Sequence, residues 1–190
     1  MDRGSAVSTG DSVSVDLSAI SRVRVISIVH DRCAFVSLPP DIVAATLRSR
    51  AATVFPAHVE LTLKKDADTR RTVHVAWAGG VTPGGEKEKR IGIPHALASV
   101  LEIEDGDEVL FGFGVEEQIV NAESVSVAPL SADDWEAVLA QAEALEATAL
   151  SQIGLAAVGQ AVPFYAPGGG KPLFLRVKSI APECATNVAR

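Results

Sequence analysis

The chain has 190 residues, 47% of them hydrophobic and only 5% aromatic, which sizes an aliphatic core for one ordinary domain or two small ones. No apolar run approaches the ~18 residues of a membrane-spanning helix. The net charge of −7 is uneven: residues 1–90 hold 13 Lys and Arg against 10 Asp and Glu, residues 91–190 hold 4 against 14, and no Lys or Arg falls between Arg90 and Lys171, so no basic face on the scale that duplex phosphates need is expected.

In chain order, residues 1–20 lack the apolar stretch of a secretory leader and are predicted to be a flexible lead-in. The runs "RVRVISIV" and "CAFVSL" are β-rich and joined by the polar link "HDR". "PPDIVAATLRSR" opens with prolines and continues at helical spacing, predicting a short helix. "HVELTLKK" and "RTVHVAWA" alternate as strands do, across the turn "DADT", and His74 is expected on the outer strand face. "GGVTPGGEKEK" is a glycine-rich charged loop. "IGIPHALASVLEIEDGDEVLFGFG" then repeats the earlier grammar of strand, proline-led short helix, turn and strand. "IVNAESVSVAPL" predicts a further strand pair or one long strand.

Next comes "PLSADDWEAVLAQAEALEATALSQI", Pro129 to Ile153, which predicts one long acidic helix. Ser131 is its expected N-cap, and Leu130 and Trp135 have the spacing of a hydrophobic staple. Asp133 and Asp134 lie at the positive end of the helix dipole. Trp135, Val138, Leu139, Ala142, Leu145, Ala149, Leu150 and Ile153 form one apolar stripe, opposite Glu136, Glu143 and Glu146. The stripe is expected to be the packed face, with Trp135 as a core anchor, and Gly154 ends the helix. "AVPFY", the turn "APGGGK" and "LFLRVKSI" predict a closing hairpin.

The first ~128 residues therefore contain two similar halves, each placing strands around a proline-led helix. Many short strands with two small helices predict a mixed α+β fold, mainly β, built as a closed barrel rather than a layered sheet.

No catalytic constellation emerges. "GGGKP" lacks the phosphate-loop spacing, because Tyr165 stands where a glycine is needed and Pro172 where Ser or Thr is needed. His30, His58, His74 and His95 are scattered without zinc-site spacing. No Gly-x-Ser-x-Gly elbow occurs. Of the two cysteines, Cys33 and Cys184, Cys33 is expected to be a buried free thiol, and a reducing cytosolic setting fits.

The half-motif "IGIPHALASVLEIEDGDEVLF" resembles one half of a double-psi β-barrel. "CAFVSLPPDIVAAT", "VHVAWAGG", "AVPFYAPGGGKPLFLRV" and above all "VSVAPLSADDWEAVLAQAEALEATALSQI" resemble the N-terminal domain of peroxin-one, the peroxisome biogenesis AAA+ ATPase, a family related to the N-domains of valosin-containing protein and N-ethylmaleimide-sensitive fusion protein. The signature runs through Pro129, Leu130, Ser131, Asp133, Asp134, Trp135 and Glu136. The resemblance implies a flexible lead-in over 1–20, a double-psi barrel over 21–128 and a β/α-roll over 129–190. It implies an N-terminal adaptor- or substrate-binding domain without enzymatic activity of its own. ATP and magnesium would belong to ATPase modules after Arg190, which pair with the partner ATPase peroxin-six and extract and recycle ubiquitinated import receptor. Expected partners are an adaptor, the ubiquitinated receptor or a ubiquitin-like domain, with a phosphoinositide or membrane surface also admitted and nucleic acid excluded. The expected location is the cytoplasm with recruitment to the peroxisomal membrane. Arg22 and Arg24 on the barrel and Phe164 and Tyr165 on the roll are the candidate walls of a partner groove. The alternative is a stand-alone double-psi barrel, either a small barrel enzyme or a swapped-hairpin-like DNA-binding regulator.

Overall fold

The computed structural model describes residues 22–48, 55–64, 70–83, 89–114, 119–168, 170–183 and 188–190. The expected lead-in, Cys184 and the tip of the glycine-rich loop lie outside the described residues, as does the side chain of Arg22.

Six strands close a barrel: β1 (Arg22–Val29), β2 (Phe35–Leu38), β3 (Ala57–Lys64), β4 (Arg70–Val81), β5 (Arg90–Pro94) and β6 (Glu108–Phe113), in the order β1-β5-β2-β4-β3-β6. Helix α1 (Pro40–Arg48) follows β2, and α2 (His95–Val100) follows β5. Both helices start where the prolines predict, since proline has no N–H to lose at a helix start.

The pairing maps onto itself when the two halves are exchanged. β1 runs parallel to β5 and β4 parallel to β2; β3 is antiparallel to β4 and β6 to β1; β2 and β3 meet their counterparts β5 and β6 antiparallel. A duplicated sequence has become a barrel in which each half completes the other. Inside it, Ile26, Leu38, Val59, Leu61, Trp77, Ile91 and Ile93 are all 0% exposed. This is the dense aliphatic core that the alternating strands require.

The second sheet is three-stranded, in the order β7 (Ser124–Pro129), β10 (Leu173–Ala181), β9 (Ala161–Phe164), and the pair β8 (Ala156–Ala157) and β11 (Val188–Ala189) lies beside it. β9 and β10 form the predicted hairpin, with Phe164 opposite Leu173. β7 pairs with β10, so residues 124–128 belong to the second sheet rather than to the barrel.

The long helix is broken. α3 covers Asp134–Ala140 and α4 covers Ala142–Gln152, because Gln141 leaves helical geometry at φ −122°. Ser131 is not the N-cap: α3 starts from Asp133 with no side-chain cap, and the Ser131 hydroxyl accepts from the Asp133 N–H at 3.2 Å in the turn before the helix. The stripe, however, is divided. Leu145 is buried with Val138, Ala149 and Ile153 packed beside it, whereas Trp135 (48%), Leu139 (70%) and Leu150 (86%) face outward. Trp135 is thus not a core anchor, and Leu130 at 41% exposure does not staple it to a core.

The barrel and the second sheet share an apolar seam of Ala76, Leu155, Ala157 and Val188, with Phe35 against it. The Ala34 N–H donates to the Gln152 carbonyl at 2.8 Å. The Gln160 amide grips the backbone of β4: its Oε1 accepts from the His74 N–H at 3.0 Å, and its Nε2 donates to the His74 carbonyl at 2.6 Å. One side chain thereby replaces a neighbouring strand at a strand edge.

Candidate functional site

A cleft of about 390 Å³ opens where the link after β1 and the start of α2 face the turn of the β9–β10 hairpin. Its lining includes His30, Asp31 and Arg32 from the link, His95 from α2, and Tyr165 and Lys171 from the hairpin. The Arg32 guanidinium lies over the Tyr165 ring at 5.4 Å and donates to the Gly170 carbonyl at 3.2 Å, which ties the link to the hairpin turn. The rings of His30 and His95 stack at 6.1 Å. Gln152 holds the Tyr165 backbone from α4, accepting from its N–H and donating to its carbonyl, both at 2.8 Å.

The cleft gathers cationic, imidazole and aromatic groups. Arg32 and Lys171 outnumber Asp31, and two imidazoles and an aromatic ring lie beside them. Such a wall suits a partner that presents a carboxylate or another anionic group next to an apolar one.

Of the predicted groove residues whose side chains are described, only Tyr165 lines this cleft. Phe164, its neighbour, is 2% exposed and packs with Leu145, Val162 and Leu175, so it belongs to the core of the second sheet. Arg24 is no exposed strand-end arginine: it is 5% exposed and its Nη2 approaches Asp41 on α1 at 3.4 Å. β1 places Arg22 opposite Phe111 of β6. Sequence reasoning missed Arg32, His30, His95 and Lys171. One signal was present, since Lys171 ends a run of 80 residues without Lys or Arg and sits in a glycine turn.

Cys33 is half-buried, and burial pushes its thiol pKa up, so it is a poor nucleophile at neutral pH. The four histidines form two pairs in space: His30 with His95 in the cleft, and His58 with His74 across β3 and β4, where His58 Nε2 and His74 Nδ1 are 2.9 Å apart.

Fold and cleft together define a mainly β, mixed α+β module with a cleft between a barrel and a second sheet. Residues 123–190 match the model of the family described as peroxisome biogenesis factor 1, N-terminal, from the residue before β7 onward. The chain is similar to the peroxisomal ATPase PEX1 of Komagataella phaffii, 31% identical over 120 residues, covering 63% of this chain and 10% of that protein. It is also similar to the peroxisomal ATPase PEX1 of Dictyostelium discoideum, 28% identical over 152 residues, covering 74% of this chain and 12% of that protein. The chain thus spans about a tenth of the length of these relatives. Among the described residues no helix is long and apolar enough to cross a membrane.

Proposed function

We propose that the chain is the N-terminal adaptor- and substrate-binding region of a peroxisomal AAA+ ATPase. The observation that carries this reading is the cleft, which is completed by a hairpin lying inside the matched residues 123–190. The barrel, whose pairing is symmetric under exchange of its halves, is read as a double-psi barrel, and the second sheet with α3 and α4 as a β/α-roll. In this reading β7 is counted with the roll because it pairs with β10, and the division between the two is taken near residue 124. In this reading the chain performs no catalysis. ATP and magnesium act in modules elsewhere in the protein, partnered by peroxin-six, and the cleft captures an adaptor, a ubiquitinated import receptor or a ubiquitin-like domain during receptor recycling. The protein works in the cytoplasm and is recruited to the peroxisomal membrane.

The test is Lys171→Glu in the full-length protein. Lys171 is exposed at the cleft rim, so reversal should leave thermal melting unchanged. Co-purified import receptor should fall, and the salt dependence of capture should weaken, because rim charges act mainly on encounter. A folded variant that captures receptor at the wild-type level and salt dependence would overturn the assignment of the cleft.

A further inference from the structure

Away from the cleft, antiparallel pairing of β3 and β4 sets Glu60 directly opposite His74, and His58 lies two residues before Glu60 on the same strand face. Val59 and Leu61, which alternate with them, are both 0% exposed, so His58, Glu60 and His74 share the outer face of the barrel wall. Three donor atoms converge there. His58 Nε2 is 2.9 Å from His74 Nδ1, and Glu60 Oε1 is 3.8 Å from the first and 3.9 Å from the second. Zinc bonds of about 2.0–2.1 Å put neighbouring ligand atoms of a tetrahedron roughly 3.3 Å apart and those of an octahedron roughly 3.0 Å apart. The three separations straddle these values, so the side chains need move only by tenths of an ångström.

We propose that His58, Glu60 and His74 form a binding site for a divalent transition-metal ion, zinc by donor set and spacing, with water in the remaining position.

Two further features hold the donors in place. His58 is 6% exposed, and its ring lies against Gly114, where any Cβ would collide with Nδ1. The Gly114 N–H in turn donates to the His58 carbonyl at 3.0 Å, and a side chain at Gly114 would force the ring to shift. On the other strand the Gln160 amide clamps the His74 backbone on both sides. Ligands locked by their surroundings lose little entropy when they bind metal. The side chains of His74 and Glu60 are 27% and 43% exposed, which leaves the ion a path from solvent and room for a water.

The protonation states agree. Burial lowers the pKa of both imidazoles, so at neutral pH each ring is uncharged and can offer a lone pair without first losing a proton. Without metal the two rings can share one hydrogen bond, and His58 Nδ1 stays buried with no partner in either tautomer. A metal on Nε2 fixes the proton on Nδ1. The ion would cross-link β3 to β4 where Gln160 joins the second sheet to the barrel, so it would brace that junction.

The experiment titrates zinc chloride into the chain by calorimetry, in a background where Cys33→Ser and Cys184→Ser remove thiol ligands. One equivalent should bind. Glu60→Gln and His74→Ala should each weaken binding by at least about tenfold, the lower range seen even for outer-shell changes at such sites. Glu60→Gln alters a half-exposed side chain, so its melting in chelator should match the parent and keep the result interpretable. Imidazole nitrogen NMR should show zinc shifting His58 and His74 while His30 and His95 stay put. No binding tighter than about 1 mM, undiminished binding in both variants, or shifts confined to His30 and His95 would each overturn the proposal.

Discussion

Burial, reinforced by the neighbouring His74 imidazole, pushes the pKa of His58 down from 6.5 to about 4. In the unfolded chain the ring takes a proton near pH 6.5; in the fold it does so only near pH 4. Between those values the unfolded state binds more protons, so stability is full above the window, falls as pH drops through it, and levels off below. The full loss from this group is about 3 kcal/mol. His74 is lowered as well and acts with the same sign, while the Glu60 carboxylate facing it raises it part of the way back. Urea midpoints measured from about pH 7 down to about pH 4 should show this fall, and His58→Leu should flatten its share of the slope. An unchanged slope in the variant would show that the ring is not desolvated in solution. Arg24 makes the same point about burial: at 5% exposure, with Nε unpaired and Asp41 its partner, reversing its charge tests the fold and not a binding surface.

The acidic segment carries the lesson for whole elements. Eight apolar residues at helical spacing predict one helix with one buried face, yet Gln141 breaks it into α3 and α4. Periodicity marks the residues able to pack; it does not say which of them meet a partner. Leu145 does, with Val162, Phe164 and Leu175 around it, and Trp135 does not. Trp135→Ala is therefore expected to cost less than about 1 kcal/mol, whereas Leu145→Ala should cost roughly 2–5 kcal/mol through the cavity it leaves. Denaturant unfolding at constant slope separates the two cases, and a reversed order would place the tryptophan in the core.

Across the whole molecule, stability at the seam between barrel and second sheet depends on close approach. A Cβ on Gly154 would collide with the Phe35 ring and come within 2.6 Å of Pro56 Cγ, so α4 ends against the barrel with no space for a side chain. A side chain there requires the Phe35 ring or Pro56 to shift. Gly154→Ala should cost about 1–3 kcal/mol and loosen the seam. Hydrogen exchange should then rise at Ala34 and His74, whose N–H groups donate across it to Gln152 and Gln160. Unaltered exchange and an unshifted melting temperature would mean that the two units close in another way. The cleft depends on this seam, since its walls come from both sides of it.

The sequence by itself determined the elements whose information is local. Alternating runs became strands, prolines opened α1 and α2, the Pro-Gly turn made the β9–β10 hairpin, and the repeated grammar became a barrel whose pairing is symmetric between its halves. The resemblance carried by Pro129 to Glu136, which lie inside the residues 123–190 that the family model matches, was legible before any geometry, because chemical identity at each position survives without coordinates. Tertiary structure alone decided the rest. It placed β7 in the second sheet, turned Trp135 outward and buried Arg24 and Phe164. It also brought Arg32 across to Tyr165, and His58 to His74 over 16 residues of chain. Each of these depends on which surface meets which, a property of strand register and packing between segments far apart in sequence, and no local pattern of residues encodes it.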